Sequence, residues 1–321
     1  MIDYLVYLLT IVGIWGILSL SLNLQYGLTG LVNLGHIAFF MLGAYISTIL
    51  VMVVGTGYVV GFVGGMAAAA LFGALIALPT AHLQQDYWAI STLAAAEIAR
   101  LIFKNETIGG TYQGGPYGFS GIPQPLKDVL GPEMYGWFYL GLTLVLAAAA
   151  YLVLQWLLNM PFGRALKAMR EGDDVPLALG KNVRSLRIRA MALGGGVAGL
   201  AGALYAHFNA FIDPTYFLPL ETFLVWAMVI LGGAGNYLGA LLGALIVQLI
   251  YNSTRFLTGV VPLDADTLGS LRMIAIGVLI ILVIHYLPRG IVPERPRRYA
   301  GTARNKQAEG GQHVRTSPSQ G

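Results

Sequence analysis

The sequence predicts an all-α, polytopic integral membrane protein with about 8–10 transmembrane or re-entrant helices. Three observations predict it. Apolar types make up 56% of the 321 residues, with 42 Gly besides. Charged residues are only 11%, against roughly 25% in soluble proteins, too few to cover a soluble surface of this size. Mean hydropathy is +0.69. The third observation is the distribution of basic residues. Of 19 Lys and Arg, seven lie between Arg164 and Arg189 and seven between Arg289 and Arg315. Two basic islands in an apolar chain read as two cytoplasmic segments under the positive-inside rule. These features exclude a cytosolic enzyme, a disordered chain and a secreted disulfide scaffold. There is no cysteine, hence no disulfide, thiolate nucleophile or Cys-based metal site.

A spanning helix needs about 20 mostly apolar residues. Tyr4–Leu24 carries no charge and is the first span; Asp3 precedes it with no basic flank, unlike a signal peptide. Thr29–Val54 is the second, interrupted at its start by Gly30, Gly35, Asn33 and His36, just after Gly27. Tyr58–Thr80 is the third. Tyr87–Phe103, short and carrying Glu97 and Arg100, is the fourth, and Tyr135–Leu158 the fifth. Ile188–Phe211 is the sixth. Glu221–Leu231 and Tyr237–Tyr251, separated by Gly232–Asn236, are two tilted spans or a re-entrant pair. Leu268–Leu287 closes the membrane region, so residues 1–288 form one transmembrane domain. The tail 289–321, rich in Arg, Pro, Gly, Gln and Ser, reads as a mostly disordered cytoplasmic segment. With both basic islands inside, an even number of crossings separates them. The loop 104–134 is then external and 159–187 cytoplasmic; counting back through five spans places the N-terminus outside, and a second span made of two half-helices would reverse that parity.

Small residues recur every fourth position: Gly61, Gly65, Ala69 and Gly73; Gly195, Gly199 and Ala203; Gly235, Gly239 and Gly243. In lipid this spacing lets helix backbones approach closely. Gly194–Gly199 matches G-x-G-x-x-G but lies inside an apolar helix and follows no strand, so a dinucleotide site is excluded by context. There is no P-loop, no H-E-x-x-H and no G-x-S-x-G, so neither a catalytic nor a metal site is expected, and any ATP is hydrolysed by another subunit. Nucleic-acid binding is not expected either, because no aromatic-rich signature accompanies the basic residues.

Intramembrane polar residues are costly, which makes Asn33, His36, Glu97, Arg100 and Asn209 the candidates for a translocation pathway. Glu97 and Arg100, three apart, can pair on one helix face. Two readings of the Gly-rich start of the second span stand side by side. A half-helix end could aim N–H groups at a carboxylate substrate, or the helix is simply kinked, with Asn33 and His36 bonded to a neighbour. In the first basic island, Asp173 or Asp174 can cap a short helix starting near Val175. Leu177, Ala178 and Leu179 give it an apolar face and Gly180 can end it, which describes a docking element.

These residues resemble a known family. The run Arg164–Glu171 (with Arg170), then Ala178-Leu179-Gly180-Lys181-Asn182, resembles the cytoplasmic loop of branched-chain amino-acid ABC-importer permeases of the LivH/LivM type. Ala198–Ala206, Val229–Asn236 with Gly239, Leu20–Leu24 with Gly27, and Leu34-Gly35-His36 through Gly43-Ala44-Tyr45 continue the resemblance. Gly114–Pro123 is closer to the LivM branch. Pro176, Leu177 and Lys181 depart from the family pattern.

The resemblance implies an ABC-importer permease fold in the bacterial inner (plasma) membrane, moving Leu, Ile or Val. Its implied partners are a second, LivH-like permease, two cytoplasmic ATP-binding subunits holding ATP and Mg, and a periplasmic substrate-binding protein. Arg170, Glu171, Asp174, Ala178, Leu179 and Gly180 would form the ATPase-coupling loop. Permeases for urea, short amides or other amino acids look similar. An ion-coupled secondary transporter, with Glu97 or Glu221 carrying the ion, is the reading from another class. The basic tail could meet anionic membrane lipid or an ATPase.

Overall fold

The structure is a computed structural model that describes residues 2–107, 114–257, 265–287 and 290–294. Nearly all of the described chain is helical. The helices are α1 (Ile2–Leu22), α2 (Ile37–Thr48), α3 (Tyr58–Thr80), α4 (Gln85–Asn105), α5 (Lys127–Asn159), α6 (Pro161–Glu171), α7 (Asp174–Ala178), α8 (Val183–Asn209), α9 (Pro219–Gly232), α10 (Tyr237–Leu257) and α11 (Ala265–Tyr286). Four of these regions are long and apolar enough to cross a membrane: Ile2–Gly27, Tyr58–Thr80, Lys127–Asn159 and Val183–Asn209. Four more are shorter apolar helices, and α4 joins them as a charged, amphipathic member. The chain is a multi-pass membrane protein.

One end of the bundle holds the first basic segment. Arg187 at the start of α8 donates to the carbonyls of Ala81 and Leu83 in the α3–α4 turn, at 2.8 and 3.0 Å. Arg170 of α6 reaches Gly27, five residues beyond the end of α1. Residues 290–294 lie beside α6 and the α9–α10 corner. The first basic island and residues 290–294 therefore share one end, separated by the four helices α8 to α11; it is called the cytoplasmic end after the positive-inside expectation, and the opposite end the external end. The other end holds the start of α1, where Tyr7 stacks on Phe208 at the close of α8 with centroids 5.5 Å apart. There too a two-stranded antiparallel pair, β1 (Phe119–Ser120) and β2 (Phe211–Ile212), ties the loop before α5 to the loop after α8. The described start of α1 thus lies at the end opposite the first basic island.

The interior is packed backbone to backbone. α2, α3 and α8 pack on one another. A Cβ on Gly43 would enter the space of Gly199, and one on Gly202 would collide with the carbonyl of Phe40. Gly65 and Gly73 meet the backbones of Gly43 and Met191, and Gly195 and Gly199 lie against Ala69 and Gly65. Gly232, Gly239 and Gly243 bring α9 and α10 together in the same manner. Lipid offers no hydrophobic drive between helices, so dispersion at this close approach holds them.

The second span differs from its sequence boundary. No helix starts at Thr29. After α1 the chain passes through a π-helical turn, Asn23–Gly27, and α2 begins only at Ile37. Residues 28–36 are unwound and mostly buried, so their backbone groups need partners within the protein. The short helix in the first basic island does form, over Asp174–Ala178, but Asp173 makes no cap bond. Its carboxylate pairs instead with Arg187, at 2.6 Å. Gly180 ends the helix in the left-handed region (φ 67°), its N–H bonding the Leu177 carbonyl. Most of the basic tail, including 289 and 295–321, lies outside the described residues. Residues 290–294, which composition alone reads as disordered, are held by backbone hydrogen bonds to Leu231 and Gly232.

Candidate functional site: an unwound membrane segment and its cytoplasmic loop

The unwound segment is the most polar place inside the bundle. Asn23, Gln25, Asn33 and His36 are completely buried. Gln25 is the hub. Its amide nitrogen donates to the Met191 carbonyl (3.3 Å). Its oxygen receives the Asn33 amide at 2.8 Å and the His36 ring at 3.0 Å. An amide oxygen only accepts, so His36 carries its proton on Nδ1. Nε2 then faces the Ser21 hydroxyl, 2.7 Å away, whose single proton is shared with the Leu18 carbonyl.

Helices α4 and α9 and the α9–α10 corner supply further partners around the break. Thr92 of α4 accepts from the Leu34 N–H (3.2 Å). Thr222 of α9 accepts from the Ile37 N–H (3.2 Å). Trp226 donates to the Asn33 carbonyl (3.0 Å). Asn23 accepts from the Gly235 N–H at the α9–α10 corner (2.8 Å). Gly35 lies so close to the Thr92 backbone that no Cβ fits there. In this conformation the side chains of Gln25, Asn33 and His36 are spent on the protein itself, while the Asn23 amide nitrogen is buried without a partner.

The remaining pathway candidates lie elsewhere. Glu97 and Arg100 form a two-pronged pair on α4, with Arg100 Nε donating to Glu97 at 2.9 Å. Asn209 sits at the external end of α8 and donates to the Tyr205 carbonyl. The structure therefore joins Asn33 to His36 and Glu97 to Arg100, and places Asn209 apart from both. Sequence reasoning passed over Gln25, Ser21, Thr92, Thr222 and Trp226. The available signal was the run of polar residues Ser19, Ser21, Asn23 and Gln25 at alternating positions in an otherwise apolar span. His207 was also passed over. It is buried at the external end, donates from Nδ1 to the Pro123 carbonyl (2.7 Å) and faces Ser47 through Nε2 (2.9 Å). Among the described residues, no three His, Asp or Glu side chains converge to hold a metal ion.

Below the unwound segment lies the cytoplasmic loop. α6 is amphipathic, with Leu166 and Met169 buried. α7 projects beyond it, and its apolar side chains face outward: Val175, Leu177 and Leu179 are 46%, 56% and 68% exposed. Asp174, Ala178 and Gly180 are exposed beside them, as is Glu171 at the end of α6. Exposed apolar residues in the headgroup-distal, charged part of a membrane protein mark a partner surface.

The pattern of the whole chain then decides the family. The model of the family described as branched-chain amino acid transport system / permease component matches residues 4–284. The chain belongs to this family. It is similar to the probable branched-chain amino acid transport permease protein LivM of Methanocaldococcus jannaschii, with 32% identity over 92% of this chain and 95% of that protein. It is equally similar, at 32%, to the high-affinity branched-chain amino acid transport system permease protein LivM of Escherichia coli, over 93% of this chain and 73% of that protein. A shorter likeness, 35% over 48% of this chain and 44% of the other, is to the autoinducer 2 import system permease protein LsrC of Salmonella paratyphi B. No solved structure matches. The chain is thus a transport permease component of the inner (plasma) membrane.

Proposed function

We propose that this permease is one of two membrane subunits of an ATP-driven importer that moves Leu, Ile and Val into the cell. A periplasmic binding protein delivers the amino acid to the external end. A second, LivH-like permease completes the pathway. Two cytoplasmic ATPases bind ATP and Mg, and one of them receives α7. The observation that carries the reading is α7 itself: a five-residue helix with outward Leu177 and Leu179, held by α6 and by the Asp173–Arg187 pair directly beneath the unwound segment. Its burial state suits a helix awaiting a partner.

The ion-coupled alternative is disfavoured by the Glu97–Arg100 pair. A carboxylate that carries a coupling ion has to be free to release it, and Glu97 is already matched by a guanidinium. The pathway for a branched aliphatic side chain runs past the unwound segment, whose backbone groups would exchange protein partners for the substrate's ammonium and carboxylate as the helices part.

Three measurements test this. Gentle purification of the tagged chain from its own cell is expected to recover two ATPases and a second permease. Cells lacking the gene are expected to lose uptake of labelled leucine; unimpaired uptake would refute the cargo. Leu177→Asp, on the outward face of α7, is expected to leave the permease folded while reducing ATPase recovery by about tenfold, the loss of one well-buried apolar anchor at an interface.

A further inference from the structure

Two cations of α6 converge on one carboxylate that belongs to none of the helices. Glu294 pairs with Lys167, and its Oε2 accepts from Arg170 Nη1 at 2.9 Å. The strand of chain carrying Glu294 is fixed in place. The N–H groups of Ile291 and Val292 donate to the Leu231 and Gly232 carbonyls, each at 3.0 Å. Asn236 donates to the Pro293 carbonyl. Gly290, at φ 71°, packs so closely on Gly233 that a Cβ would collide. Glu294 is therefore a fixed charge on the α9–α10 corner.

The same Nη1 of Arg170 donates to the Gly27 carbonyl at 2.7 Å. Gly27 is the last residue of the π turn, the point at which the membrane helix unwinds. Gly30, in the left-handed region (φ 74°), rests on the Arg170 Cα and Cβ. Asn23, on the same π turn, bonds the Gly235 N–H. Around Arg170, then, the cytoplasmic loop, the start of the unwound segment, the α9–α10 corner and the C-terminal strap all meet.

We propose that Glu294 is a latch that keeps Arg170 seated on the Gly27 carbonyl, so that displacement of α6 is delivered to the unwound segment instead of being lost as a free swing of the loop. Glu294 is a positioning residue: it acts through Arg170 and touches no substrate. The inference rests on the proposed ATP-driven function for its role, but its structural half can be tested without cargo. The pairs are partly open to water, with 28–38% of each side chain exposed, and such pairs add little to fold stability. Glu294→Gln is therefore expected to fold.

The chain has no cysteine, so Thr29→Cys supplies a single reporter. Thr29 is buried and lines a cavity of about 370 Å³ between the unwound segment, the α3–α4 turn and α6. Maleimide labelling of Thr29→Cys is measured in the full-length permease in lipid nanodiscs, with and without Glu294→Gln. Labelling is expected to speed up about fivefold, the population change that loss of an exposed ion pair permits. Glu294→Asp is expected to stay within about twofold of the parent, because the charge is kept and the long Lys and Arg stems can follow it. In the reconstituted importer, Glu294→Gln is expected to raise the ATP hydrolysed per leucine moved, with ATPase recovery unchanged. An unchanged labelling rate, a Glu294→Asp variant no different from Glu294→Gln, or a parallel loss of hydrolysis and uptake would each overturn the latch. If the parent importer moves no leucine, the proposed cargo fails while the labelling rates still decide the latch.

Discussion

The two ends of the permease are closed by different chemistry. At the external end the β1–β2 pair is backed by the Ile122 N–H on the Ala210 carbonyl (3.1 Å), Gln124 on Phe208 (2.8 Å) and His207 on Pro123. Beneath it lies an aromatic cluster. Tyr45 has Phe103 at 4.7 Å, Phe119 at 5.9 Å and Phe217 at 6.0 Å between ring centroids, and Phe217 also meets Phe40 at 5.8 Å. At the cytoplasmic end the closure is ionic, through Lys167, Arg170 and Glu294, and Arg187 with Asp173. Rings buried in a close-packed cluster separate only if many contacts are lost together. Water-reachable ion pairs exchange partners at little cost. The external closure is thus a seal, and the cytoplasmic closure a joint.

The largest effect is expected at the seal. Phe217 is buried and touches Phe40, Tyr45 and Tyr205. Phe217→Ala is expected to destabilise the purified permease by about 3–5 kcal/mol, read as a clear drop in the thermal unfolding midpoint in detergent. A loss below about 1 kcal/mol would mean that the cluster already yields, and the contrast between the ends would fail.

An intermediate effect is expected between the ends, at the unwound segment. Asn33→Ala removes one of two donors to the Gln25 oxygen and the acceptor of the Gly35 N–H. Leaving a buried polar group unpaired costs about 1–3 kcal/mol, again measurable by thermal unfolding. A neutral result would show that the segment re-pairs on its own, which would make it a looser hinge than its complete burial suggests.

How much of this was legible in the sequence follows from what kind of order each part uses. The stripe Gly61, Gly65, Ala69, Gly73 is periodic, and these four residues are the buried face of the upper part of α3. The weakness of the second span was legible in its density of Gly near Asn33 and His36. What it bonds to was not, because Gln25, Thr92, Thr222 and Trp226 sit on three elements, the π turn, α4 and α9, that lie far apart in the chain. The strap 290–294 was hidden more thoroughly. It belongs to a tail whose Arg- and Pro-rich composition reads as disorder, and it is held by backbone hydrogen bonds to α9 that composition does not reveal. Asp173 illustrates competition: its position suits a cap, yet the Arg187 guanidinium, brought close by the fold, takes the carboxylate.

The smallest effect sharpens the comparison most directly. Raising salt from about 0.05 to about 1 M shortens the Debye length to roughly 3 Å. The half-exposed pairs of Glu294 lie within reach of that screening, while the aromatic cluster carries no charge to screen. A cysteine at Thr29 reports on the joint, and one at Ile122, buried under the seal, reports on the other end. Labelling at position 29 is expected to rise about twofold across this range, in keeping with the small energy of exposed ion pairs, with no change at position 122. Equal salt responses at both positions would show that the bundle loosens as a whole and that the two closures are not separate devices. A response confined to position 29 would place the releasable contact at the cytoplasmic end, where α6 and the proposed ATPase-docking helix α7 can act on it without first breaking the external seal.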